Sequence, residues 1–166
     1  MVDHPFYAPC RIHHTTSIQL LQVKKIQCGL PLMSQAKHNL EDILRNLDPK
    51  LVDGCFIFMS SNEDYNELFC KFNPIATFKE KEGMTLVISE EDAEKFNVPY
   101  DSKFRCLSLG VHSSLESYGL ISTISEALTK EKISCNVFAG FFHDHIFVQE
   151  DKANRALEVI KFLSHS

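Results

Sequence analysis

Residues 104–163 constrain the fold most, because five periodic segments follow one another along them and a turn signal marks each of the four joints. FRCLSLGV (104–111) alternates as a strand, and Leu120, Ile121, Ile124 and Leu128 share one face of a helix. ISCNVFAGFF (133–142) and HIFVQE (145–150) are two strands around a turn at His143 and Asp144. Ala153, Ala156, Leu157, Ile160 and Leu163 then return at helical spacing behind Asp151, placed to cap that helix. The order is β, α, β, β, α.

That order belongs to split βαβ, ferredoxin-like sandwiches, which close with one more strand. No strand signal follows the last helix. Either the sheet stays open, or a strand from the N-terminal half completes it and ties both halves together.

The first half carries weaker versions of the same signals. Leu40, Ile43, Leu44 and Leu47 form one apolar stripe in a helix expected from Ser34 to the stop at Asp48 and Pro49. CFIFM (55–59) is a short buried strand, SSNEDYNE a polar loop, and LFCKF (68–72) extended structure ending at Asn73 and Pro74. IATF and MTLVIS flank the turn KEKEG, where Gly83 permits the reversal, so a hairpin is predicted. Ser89 caps a short helix whose first turn holds Glu90, Glu91 and Asp92, acids suited to the positive end of the helix dipole. Residues 1–33 have no clear period and form a peripheral arm; the expected divisions are 34–100 and 101–166.

Composition narrows the functional class. Of 166 residues 44% are hydrophobic, enough for a core, and 22 acids against 17 bases give a net charge of -5 without a basic stripe to neutralise phosphates. Nucleic acid is not an expected partner. The apolar runs fall far short of the roughly 20 residues a membrane helix needs, and the N-terminus lacks the basic start and apolar run of a secretory signal, so a cytoplasmic protein without a membrane partner is expected. The six cysteines, Cys10, Cys28, Cys55, Cys70, Cys106 and Cys135, form no CxxC pair and read as reduced structural thiols.

Three segments carry a resemblance: PIATFKEKEGMTLVIS (74–89), FRCLSLGVHSSLESYGLISTISEAL (104–128) and ISCNVFAGFFHDHIFVQEDKANRALEVI (133–160). In their order and spacing the chain resembles the ACT-domain proteins, specifically small proteins of two ACT-like halves, over roughly residues 38–163. The arrangement is also similar to that of amino-acid sensors and of the regulatory part of aspartate kinases. The resemblance implies an α+β fold of tandem ferredoxin-like, ACT-like βαββαβ sandwiches, with antiparallel sheets and helices on one face. It further implies a free amino acid or similar small molecule bound where ACT-like units meet, within the chain or across a homodimer, and a regulated protein partner. No catalytic domain accompanies the two halves, so the expectation is a free-standing regulator that is not an enzyme.

The residues themselves locate a candidate site. The loop VHSSLESYGL (111–120) leads from a strand into a helix, whose start offers unpaired amides and a positive dipole end to an anion such as an amino-acid carboxylate. Ser113 with Glu116 fits a capping box that would start the helix there, and Gly119, one turn in, gives up about 1 kcal/mol of helix propensity in return for close approach. Capping and tight packing alone would account equally well for each of these residues. His112 and Ser114 complete the loop's polar set. In an ACT-like sheet, Asn136, Val137, Phe138, Ala139 and Gly140 would lie beside that loop, with Asn136 as the polar candidate. Small Ala139 and Gly140 suggest close backbone approach, or simply relief of sheet packing. Ile75, Ala76 and Thr77, from the matching motif of the first half, are candidates for an opposite wall.

Two other chemistries are weighed and set aside. His143, Asp144 and His145 suggest a metal cluster, with the two histidines on one strand face, but zinc usually takes four ligands and no other Cys or His spacing supplies the rest; a hairpin turn bordering the ligand pocket is expected instead, and no metal. Ser113 and Ser114 adjoin His112, yet sequence neighbours do not face each other as a triad must, and no nucleophile elbow is present. No catalytic residue and no cofactor are assigned. An interaction module that keeps the fold without the ligand is the alternative; bulky side chains filling the space beside Ser113 and Gly140 would mark it.

Overall fold

The computed structural model describes residues 39–165. The arm expected at 1–33, the helix start expected at Ser34, and Cys10 and Cys28 lie outside the described residues. Helices α1 (Leu40–Arg45), α2 (Tyr65–Phe72), α3 (Glu90–Lys95), α4 (Leu120–Lys130) and α5 (Ala153–Leu163) alternate with strands β1 (Pro49–Leu51), β2 (Phe56–Ser61), β3 (Ala76–Lys79), β4 (Met84–Ser89), β5 (Phe104–Leu109), β6 (Asn136–Ala139) and β7 (Asp144–Gln149). A single 3-10 turn, Glu150–Lys152, precedes α5. None of these helices is long and apolar enough to cross a membrane.

The strands form one antiparallel sheet in the order β3-β4-β2-β5-β7-β6, with β1 also against β5. β5 is the seam between the halves. Leu107–Leu109 at its far end pair with Leu51–Pro49 of β1, whereas β2 touches it at the register position Phe56–Phe104. Between β1 and β2 the Val52 amide donates to the Cys106 carbonyl at 2.8 Å, and Gly54, at φ 86°, bends the chain away toward β4. β1 therefore takes the position of the strand missing after α5. The two halves share one sheet because the second borrows its closing strand from the first.

Register sorts the side chains between two faces. On one, Leu107, Leu109, Ile146 and Val148 pack with Ile43 and Leu47 from the α1 segment, Leu120, Ile124 and Leu128 of α4, and Ala156 and Ile160 of α5. The same face continues through Ile57, Leu86 and Ile88 against Leu68 and Phe72 of α2 and Ala93 of α3. All five helices thus cover one side. On the other side Phe56, Val87, Cys106 and Phe147 are buried among Phe58, Phe104 and Phe138. Burial pushes the Cys106 thiol up to about 11, a group kept protonated and inert. Together these features are the α+β, helices-on-one-face sandwich expected from the order of elements.

Three local expectations are corrected. LFCKF is not extended but the second half of α2, where Asp64 accepts from the Asn66 and Glu67 amides and Leu68 and Phe72, four apart, face the sheet. Asp151 does not cap the last helix; it sits inside the 3-10 turn, and no side chain caps α5. The β6–β7 turn comprises Gly140–His143, and Asp144 is already the first residue of β7. By contrast, Ser89 caps α3 as expected, its hydroxyl oxygen accepting from the Asp92 amide at 3.1 Å.

Candidate functional site

Helix α4 does not begin at Ser113. The segment Val111–Tyr118 is irregular, and Ser114 and Glu116 serve a turn within it. The Glu116 amide donates to Ser114 Oγ at 3.2 Å, and the Ser117 amide and hydroxyl both donate to the Ser114 carbonyl, at 2.9 and 2.6 Å. The capping-box spelling was thus spent on a loop turn. The helix starts six residues later, with Gly119 as its N-cap at φ 94° and ψ -24°, a left-handed backbone rather than the helix interior expected there.

This displacement opens a cavity of about 320 Å3 between the loop and the sheet edge, lined by Ser113, Ser114, Leu115, Ser117, Gly119, Leu120, Ile121, Ser122, Ala139 and Asp144. Loop 111–120 supplies one wall, the first turn of α4 the floor, and the ends of β6 and β7 the other wall. The amides of Leu120, Ile121 and Ser122 have no intrahelical acceptor, and Gly119 offers no side chain to cap them. They present donors and the positive end of an 11-residue helix.

Asp144 is the charged member of this lining. It is 9% exposed, and burial holds its carboxyl above the usual carboxylate range, opposed by the neighbouring His145 and His143 and a hydrogen bond from Ser113. Its inward direction follows from β7, where Asp144, Ile146 and Val148 share the helix-covered face.

The sequence candidates separate into groups. Ser113, Ser114, Gly119 and Ala139 meet in the cavity, joined by six further lining residues, foremost Asp144, which was expected as part of a turn bordering the pocket. Alternation along β7 was the signal that could have found it. Glu116 is exposed, and His112 turns aside, its ring 5.3 Å from that of Phe142 and its Nε2 buried without a partner. Gly140 holds the β6–β7 turn: a Cβ there would stand 2.5 Å from the His143 carbonyl oxygen. Val137 packs against the helix-side core and Phe138 joins the aromatic face, while Asn136 donates to the Phe147 carbonyl at 3.1 Å. Ile75 lies just before β3, and Ala76 and Thr77 lie on it, at the sheet edge opposite β6, so the chain does not bring them to this cavity.

The histidines form a packed border. His143 Nδ1 lies 3.2 Å from the Val111 carbonyl, and His145 Nδ1 is buried without a partner. Burial, with the nearby His143, holds the His145 imidazole below its ordinary value. No group of three or more His, Cys, Asp or Glu among the described residues is placed to hold a metal ion.

Comparison with known proteins gives a consistent picture. Two family models, each described as an ACT domain, match residues 35–105 and 101–161. A Vibrio cholerae protein of unknown function, described as a possible transport protein, is 38% identical with a TM-score of 0.69, covering 75% of this chain and 95% of that one. Similar in fold alone are Clostridium acetobutylicum aspartate kinase (12% identity, TM-score 0.52, 69% of this chain and 33% of that one) and a C-terminal regulatory domain of aspartate kinase from Porphyromonas gingivalis (11%, 0.51, 71% and 96%). No curated protein matches the chain.

Proposed function

Since the chain belongs to the ACT-domain family, we propose that it is a non-enzymatic regulatory protein that binds a free amino acid in the cavity beside α4. The observation that carries this reading is the cavity itself. It lies where loop 111–120 meets the end of β6, and it pairs unsatisfied amides at one end with a buried carboxylate at Asp144. An α-carboxylate suits the first and an ammonium group the second. In this reading residues 34–100 and 101–166 are the two ACT-like domains, and the protein works in the cytoplasm. Among the described residues β6 is an edge strand, and a second copy pairing there would place the cavity near an interface between ACT-like units.

The alternative is an interaction module with a vestigial site. That reading requires bulky side chains in the space beside Ser113 and Gly140; the volume beside Ser113 is open, which supports binding, while the His143 carbonyl and His145 ring fill the space at Gly140.

A thermal-shift series with the twenty amino acids at millimolar concentration, backed by titration calorimetry, is the test. A ligand that binds only the native state raises the melting temperature by mass action. A flat series with no heat of binding removes the amino-acid reading and leaves the interaction module.

A further inference from the structure

The lining of the cavity also defines which amino acids it suits. Asp144 is the one charged side chain among the described residues around it, and no ion pair among them neutralises it. The serines, which look at first like a polar side-chain pocket, are largely spent. Ser113 bonds Asp144, Ser117 donates to the Ser114 carbonyl at 2.6 Å, and Ser122 donates to the Gly119 carbonyl at 2.9 Å. Ser114, 5% exposed, already accepts from the Glu116 amide. What remains for a ligand side chain is carbon, from Leu115, Leu120, Ile121 and Ala139.

Resting on the binding reading above, we propose that this cavity takes an amino acid with an uncharged aliphatic side chain, its ammonium group held by the Asp144 carboxylate. Charge balance decides the class. One carboxylate answers one ammonium, so a lysine or arginine side chain would bring a second cation with no partner. A glutamate or aspartate side chain would set a second anion beside Asp144. Either sets a charge over the apolar carbon of Leu115, Leu120, Ile121 and Ala139 without a partner of opposite sign. An aliphatic side chain instead gains by covering apolar carbon.

Titration calorimetry of the full chain with alanine, valine, leucine, arginine and glutamate tests this, with isocaproate as leucine without its amino group. At least one of the three aliphatic amino acids should bind tenfold or more tightly than arginine and glutamate, and isocaproate should be weaker than leucine. Asp144→Asn should lose tenfold or more of that affinity while melting no lower than the wild type, because it removes an uncompensated buried charge. Arginine or glutamate binding tightest, with loss in Asp144→Asn, would overturn the charge class and leave the cavity as the binding site. Aliphatic binding untouched by Asp144→Asn would overturn the role of Asp144. Silence from all twenty amino acids would remove the binding reading itself.

Discussion

A Cβ placed on Gly119 would stand 2.9 Å from Leu40 Cδ2, so the first turn of α4 is seated directly on the α1 segment. The contact ties the N-terminal edge of the described fold to the floor of the cavity. Two costs are folded into this position. The backbone at φ 94° disfavours any L side chain, and the added carbon would meet a leucine methyl group.

These costs separate experimentally. The far end of a leucine can rotate aside, so the backbone should dominate, and Gly119→Ala should destabilise the protein by about 1–2 kcal/mol. Leu40→Ala in the same chain should then leave most of that loss in place, with a coupling under about 0.5 kcal/mol in a double-mutant cycle read by urea unfolding. Full rescue by Leu40→Ala would mean that the contact, and not the backbone, limits the site.

Gly140 behaves differently, because its neighbour is backbone. A Cβ there would lie 2.5 Å from the His143 carbonyl oxygen, the acceptor of the Gly140 amide at 3.1 Å. Gly140→Ala must open the β6–β7 turn, which carries Ala139 and Asp144 at its two ends. The expected result is a weaker ligand response than in Gly54→Ala, which carries the backbone strain of φ 86° but has nothing within 4 Å of its Cβ. Equal ligand responses in the two variants would detach the turn from the cavity.

How far the sequence carried the fold can be judged from particular residues. Hairpins and long helices were legible because the apolar runs at 86–88 and 146–148 follow turn residues, and because Ile124, Leu128, Ala156 and Ile160 repeat at helical spacing. α2 was lost because it buries just Leu68 and Phe72 and leaves Tyr65 and Phe69 exposed, so its five C-terminal residues look like a strand; Asp64 followed by Glu67 was the missed start signal. Ser113 and Glu116 misplaced α4 because a cap and a loop turn use the same residue types: the Glu116 amide donates to Ser114 Oγ inside the loop, and the helix starts behind Gly119. The cavity's polar loop was found by its serines. Asp144 was read as part of a turn at the pocket's border, so the strand face that turns it inward went unread.

The aromatic face predicts its own stability hierarchy. Phe147 is 1% exposed and meets Phe56, Phe58 and Phe138 with ring centroids 5.7, 5.4 and 5.8 Å away, near perpendicular in each case. Phe147→Ala should cost about 3–5 kcal/mol in chemical unfolding. Phe78 faces the same side from the edge strand but is 63% exposed, and Phe78→Ala should stay within about 0.5 kcal/mol of the wild type. A comparable loss at both positions would show that Phe78 is covered in solution.

Asp144 and His145 make opposite contributions to stability as pH changes. The Asp144 carboxyl is raised in the fold, chiefly by burial, so the native state binds the extra proton. Its contribution is complete below the ordinary aspartate value near 3.8 and is lost as pH rises through the folded value. The His145 imidazole is lowered, again chiefly by burial, so its contribution is present above the ordinary value near 6.5 and is lost as pH falls through the folded one. Asp144→Asn should therefore gain stability relative to the wild type as pH rises above the aspartate range, and His145→Gln should lose less than the wild type as pH falls below 6.5. Urea midpoints across this range measure both. Because the two residues are adjacent and their charges attract, each single variant also gives up that attraction, so the double variant should exceed the sum of the single effects. Strict additivity would mean that the two groups titrate without sensing one another, and the electrostatic link between cavity wall and histidine border would have to be given up.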